Sequence, residues 1–276
     1  MDETKNKPSE KMAKLDARII YLAMFIALLI PILRPLGLPL PISDMTRKAY
    51  EYVDSLPSGS KVLLALHVSV GLWPEVEPGT IAILSHLFSK SIKVVIISWG
   101  ADEPVLVEST LTKVDKMGKQ YGVDWVNLGY YAGMETAMAA FAKDVHGLVK
   151  RDFYGTPIEN LPIMKDIKSA KDFNLVIYDT ASDIAPMIRQ FVAAYGIPMV
   201  AFCTIGWVPS FMPYLTAGQI VGMVPGIRGG AEYELLIKRP GSGATTTDAL
   251  SLGFILLIVL SILGNVIWYS RKIGMR

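Results

Sequence analysis

Residues Lys61–Val68 read KVLLALHV, a continuous apolar run of the length a strand needs when both its faces are buried. The same signature returns as KVVIIS at Lys93–Ser98, DWVNL at Asp124–Leu128, FNLVIY at Phe173–Tyr178 and IPMVAFCT at Ile197–Thr204. Between these runs lie segments of helical character: Gly79–Ser89, Glu103–Tyr121, Met134–Val149, Glu159–Ala170 and Ser182–Tyr195. Strands alternating with helices over short connections imply right-handed crossovers and parallel pairing. The expected fold is therefore α/β, a three-layer sandwich around a mostly parallel sheet of about five strands, Rossmann-like in the loose sense. A helix over Met45–Leu56, capped by Ser43 or Asp44, precedes the first strand, and Ala231–Lys238 reads as a last helix.

Outside this domain, placed at 43–240, two apolar runs stand out. Ala249–Tyr269 has no charged residue, and about 20 helical residues cross about 30 Å of hydrocarbon. Thr247 and Asp248 are placed to cap its first turn, Trp268 and Tyr269 suit the headgroup level, and Arg271, Lys272 and Arg276 follow. The second run, Ile19–Leu33, follows Lys11, Lys14 and Arg18 without a small-residue cleavage site after it, so it reads as an uncleaved anchor. Pro31, Pro35, Pro39 and Pro41 end that span near Leu33. The expected organisation is a tail and transmembrane helix over 1–42, the α/β domain, and a linker, second transmembrane helix and basic tail over 241–276. Such a chain is an integral membrane protein whose first partner is the lipid bilayer. Basic residues at both ends favour cytoplasmic termini and an extracytoplasmic domain.

Charge excludes several classes. With 27 Lys and Arg against 25 Asp and Glu, spread without blocks, nothing implies a nucleic-acid partner. The single cysteine, Cys203, excludes an internal disulfide and a cysteine-based zinc site, and three scattered histidines indicate no metal site. No cofactor is named by any motif.

In open parallel sheets, ligands bind beyond the carboxyl ends of the strands. The polar residues there are His67 and Ser69, Ser98 and Asp102, Asn127, then Asp179, Thr180 and Asp183, and finally Cys203 and Thr204. Asp102, Asp179 or Asp183 could hold a cation for a hydrolase or transferase, although Ser182 and Asp183 also suit a helix N-cap. In LGYYAGME, a strand runs into Gly129 and Gly133 and then a helix, a way of aiming amides at an anion, but also simply a tight turn. It is neither GxGxxG nor a P-loop. Cys203 and His67 at two strand ends could form a thiolate–imidazolium pair. Their contexts lack the peptidase signatures, and core packing is the simpler reading. Arg228, in a glycine-rich loop, could hold an anion or a carboxylate of another subunit. Glu232 and Glu234 after it suit a first helical turn.

The stretch Gly218–Gly230, apolar and close in sequence to the second span, is expected on the membrane or on a partner's span, since small residues permit close helix contact. Gly264 and Asn265 within the span could serve the same end. A homo- or hetero-oligomer through the spans and Gly218–Gly230 is expected. The primary functional reading is a binding or assembly subunit of a membrane complex; the alternative is an enzyme or nucleotide- or anion-binding protein using the strand-end crevice.

The phrases LGYYAGMETAMAAFAKD, DFYGTP, LPIMKDI and GMVPGIRGGAEYE resemble those of an uncharacterised prokaryotic family of two-span membrane proteins with a Rossmann-like domain. The resemblance implies the architecture and a prokaryotic cell membrane. It implies no activity and no site residues.

Overall fold

The computed structural model describes residues 17–274. The polar tail Met1–Glu10 and the flanking Lys11, Lys14 and Arg276 lie outside them. The described chain forms two compact units, one spanning Leu40–Gly243 and the other made of the described residues on either side.

The first unit is built on six strands: β1 (Lys61–His67), β2 (Lys93–Ser98), β3 (Trp125–Tyr130), β4 (Leu175–Thr180), β5 (Met199–Cys203) and β6 (Gly222–Pro225). Their order across the sheet is β3-β2-β1-β4-β5-β6, and every neighbouring pair is parallel. Successive connections run outward one way from β1 and the opposite way from β4. The direction of winding therefore reverses between these two strands, which makes their carboxyl ends the topological switch point.

Side chains alternate across the sheet. Leu63 and Ala65 of β1 join a core with Met138, Phe141, Tyr178 and Phe191, while Val62, Leu64 and Leu66 join another with Ile83, Leu87, Phe202 and Tyr233. Helices α1 (Asp44–Ser55), α2 (Trp73–Ser89) and α3 (Glu103–Lys113) contribute to the second core. Helices α4 (Glu135–Lys143) and α5 (Val145–Leu148) contribute to the first. The sandwich thus has three layers, as the sequence pattern implies, with six strands instead of five.

The sixth strand corrects the reading of the glycine-rich stretch. Gly222–Pro225 is buried throughout, and Gly226–Leu236 is a helix (α8) whose Gly226, Gly229, Gly230 and Ala231 are buried. A Cβ on Gly222 would stand 2.3 Å from the Ala49 nitrogen of α1, and one on Gly230 would stand 2.8 Å from the Gly79 nitrogen of α2. The small residues let α1 approach β6 and let α2 and α8 cross closely inside the domain, which buries Gly222, Gly226, Gly229 and Gly230.

Several helix boundaries differ for local reasons. Glu159–Ala170 holds only 3₁₀ turns, because Leu161 precedes Pro162 and is extended (φ −92°, ψ 116°). Met134–Val149 breaks at Asp144, whose extended backbone separates α4 from α5 and whose carboxylate accepts the Gly147 N–H at 2.9 Å. Ser182–Tyr195 starts late, with one turn at Ala185–Met187 (α6) and a π-helical segment at Ile188–Ala193. Helix α7 (Val208–Thr216) forms where no regular element was expected, with Pro209 in its first turn.

The second unit contains a 17-residue helix, Ala17–Leu33 (α9), ending where the prolines predict, and a 33-residue helix, Ser242–Gly274 (α10). Helix α10 absorbs the expected linker from Ser242 on. Among the described residues it alone is long and apolar enough to cross a membrane. At about 1.5 Å per residue α9 reaches about 26 Å, just short of a typical hydrocarbon core. Asp248 does not cap the helix start. It is buried, and its carboxylate accepts the N–H groups of Leu36, Gly37 and Leu38 at 2.9, 2.9 and 3.2 Å.

Candidate functional site

The register of β1 on β4 pairs Leu66 with Asp179 and His67 with Thr180. That alignment brings the loops after both strands together. The Thr180 hydroxyl donates to the His67 carbonyl at 3.2 Å, and the Ser182 N–H donates to Thr180 Oγ1 at 3.0 Å. Ser182 Oγ stands 2.5 Å from His67 Nδ1 and 3.1 Å from Thr180 Oγ1. With the Thr180 hydrogen committed to the carbonyl, a proton on Nδ1 lets His67 donate to Ser182 and Ser182 donate to Thr180, which satisfies all four contacts. With the proton on Nε2 instead, the Ser182 hydroxyl donates to Nδ1 and the approach of the two hydroxyl oxygens carries no hydrogen. Both His67 and Ser182 are partly exposed, and burial pushes the His67 imidazole below its ordinary value, so it is neutral at pH 7.

Two buried carboxyl groups belong to the same strand ends, with Asp179, one residue before Thr180, turned to the opposite face of the sheet. Asp179 is 1% exposed, its Oδ2 takes the Thr80 hydroxyl, and its Oδ1 has no hydrogen-bond partner among the described residues. Burial pushes it up to about 7, with the Glu103 charge adding to the rise. Glu103, also 1% exposed, accepts the amides of Val68, Trp99 and Gly100 at 2.6, 3.1 and 3.0 Å. Its carboxyl too is raised to about 7, because burial outweighs those three donors. Glu103 thereby ties the loop after β1 to the loop after β2. Glu75 does the same between α2 and the loop after β5, accepting the Ile205 N–H at 2.6 Å.

The residues singled out in sequence fall into two groups. Asp102, Asp179 and Asp183 lie around the switch point. Exposed Asp102 accepts the Val70 N–H at 3.2 Å, and exposed Asp183 accepts the Ala185 N–H at 3.0 Å at the start of α6. Asn127, Gly129 and Gly133 lie at the β3 edge, two strands away, which is about 10 Å. Asn127 is a strut there: its amide donates to Glu108 at 2.8 Å and its oxygen accepts the Gly129 N–H at 2.9 Å. The first turn of α4 after Gly133 already carries a carboxylate, Glu135. Hydrogen bonds from Arg189 and Gln190 hold it down to about 2. Arg228 follows the opposite edge strand, exposed on α8, with its Nε 3.1 Å from Glu232 of the same helix. The same Glu232 carboxylate takes the Ser43 hydroxyl at 2.6 Å.

Cys203 and His67 are not paired. Cys203 sits on β5 opposite Thr180, fully buried, and burial pushes its thiol up to about 12. In the sequence Ser182 suits a helix cap, and Glu103 is only the first residue of an expected helix. Its neighbour Pro104 was the available signal for a helix start, but nothing local tells that the carboxylate folds back onto three amides.

No protein-family model matches the chain, and no curated protein matches it. Among solved structures, the chain is similar to the crystal structure of the glycotransferase of kitacinnamycin, with 14% identity and a TM-score of 0.25. The match covers 65% of this chain and 39% of that one, so the chain spans about two fifths of its length. A likeness of that degree assigns no activity.

Proposed function

We propose that this protein is a membrane-anchored α/β domain that binds a small polar molecule in the crevice between the carboxyl ends of β1 and β4. The observation that carries it is the meeting of His67, Thr180 and Ser182 at the point where the winding of the sheet reverses. Such points are where open parallel sheets hold their ligands. In this reading α9 is the second span and pairs antiparallel with α10. The Asp248 clamp at one end and the approach of Leu28 and Met24 to Gly253 support that pairing. Both termini then lie on one side of the membrane, the cytoplasmic side by the basic residues of the sequence, and the domain lies on the other.

Assembly through the spans is the second reading. It is supported by Gly264, with open space where a Cβ would be, and by the neighbouring exposed amide of Asn265 inside an apolar helix. Native mass spectrometry of the protein extracted gently from its membrane tests both. A retained small molecule supports the binding reading, and a multiple of the chain mass without one supports assembly alone.

A further inference from the structure

We propose that Ser182 and His67 form a nucleophile–base pair that hydrolyses esters of apolar carboxylic acids. The proposal rests on the crevice between β1 and β4 being the ligand site. Three observations carry it beyond binding. First, the hydroxyl and the imidazole are already within hydrogen-bond reach, at 2.5 Å between Oγ and Nδ1, which is the geometry an activated serine requires. Second, the serine is fixed from behind: its N–H is held by Thr180 Oγ1, and Thr180 is held by the His67 carbonyl, so nucleophile and base are locked to one another across two strands. Third, the loops after β1 and β5, the strands on either side of β4, expose apolar side chains. Val70 is 59%, Leu72 41% and Ile205 62% exposed. Apolar groups on both flanks of a polar pair suit a substrate with a hydrocarbon acyl chain on a polar linkage.

The step balances with water as the second reactant. Ser182 Oγ bonds to the carbonyl carbon while its proton passes to His67 Nδ1. The carbon–oxygen bond to the alcohol then breaks, and the leaving alkoxide takes that proton. Water, deprotonated by Nδ1, attacks the acyl-serine, releasing the carboxylic acid and returning the proton to Oγ. Burial favours the neutral imidazole, and the tautomer protonated on Nε2 presents Nδ1 as the acceptor for the serine proton.

The experiment uses the full chain in detergent micelles with a fluorophosphonate probe, which forms an Oγ–phosphorus bond as fluoride leaves. The expected result is one covalent adduct per chain, mapped by peptide mass to Ser182, absent in Ser182→Ala and at least about 100-fold slower in His67→Gln. Hydrolysis of p-nitrophenyl octanoate should exceed that of the acetate at least 10-fold in kcat/KM. Ser182→Ala removes one hydroxyl and keeps the fold, so the comparison stands even if His67→Gln fails to fold. A wild-type protein that takes no probe, or one labelled equally in Ser182→Ala, overturns the proposal. If such a protein still retains a small molecule in the native mass spectrum, the hydrolytic pair fails while the binding reading survives.

Discussion

The carboxylate of Asp248 accepts the backbone N–H of Gly37 at 2.9 Å, joining positions 211 residues apart. Leu36 and Leu38 donate to the same side chain, so one buried acid gathers three consecutive amides at the end of α9. Hydrogen bonds to a charged acceptor contribute about 1.5–3 kcal/mol each, and together these fix α9 against α10.

Asp248→Ala should therefore release the N-terminal helix from its partner. With cysteines at Leu28→Cys and Gly253→Cys, a short bismaleimide should link the helices in high yield, and adding Asp248→Ala should cut that yield several-fold. Cys203 is buried and does not compete.

Asp179 gives the domain a definite pH dependence. An aspartate raised from 3.8 to about 7 by burial binds a proton in the folded state that the unfolded chain has already lost. Stability is full below about pH 4, falls as pH rises to about 7, and is then lower by on the order of 4 kcal/mol. Glu103 acts in the same direction and titrates together with it. His67 and His86, both lowered by burial, act the opposite way, so the clean measurement is a difference. Asp179→Asn should gain stability relative to wild type steadily between pH 4 and pH 7, read as melting temperature across that range. The two curves should run parallel above it.

Gly222→Ala tests the corrected place of the glycine-rich stretch. Its Cβ would meet the Ala49 backbone at 2.3 and 2.5 Å, contacts that only a shift of α1 or β6 can relieve. Overpacking of this kind costs about 1–3 kcal/mol, which for a domain this size lowers the melting temperature by about 2–12 °C. A surface glycine facing lipid would tolerate alanine, and the melting temperature would not move.

Cys203 should resist alkylation. A thiol with no exposure and a value raised to about 12 presents almost no thiolate at pH 8. Iodoacetamide should modify it only after denaturation, as read by intact mass. Rapid labelling of the folded protein would return the cysteine to the list of nucleophiles.

Five of the six strands were legible because apolar runs such as Leu63–Leu66 and Val94–Ile97 have one economical solution, burial on both faces. The sixth was hidden because Gly222 and Pro225 bound a strand of four residues and carry no strand signature. Pro162 looked compatible with a helix only when the extended residue it imposes on Leu161 was ignored. The positions of His67, Asp179 and Thr180 followed from the strand ends. The Ser182–His67 contact did not, since it depends on β1 lying beside β4, a neighbour relation across 115 residues that no local pattern encodes. The Asp248 clamp, which joins the two ends of the chain, was hidden for the same reason.

Whether a molecule binds at the carboxyl ends of β1 and β4 is the central question. Native mass spectra of wild type and of Ser182→Trp, whose indole would take up the space beside His67, decide it when both proteins melt at the same temperature. The expected result is a retained small-molecule mass on wild type that is missing from the variant. The same mass on both proteins, or none on wild type, would contradict it.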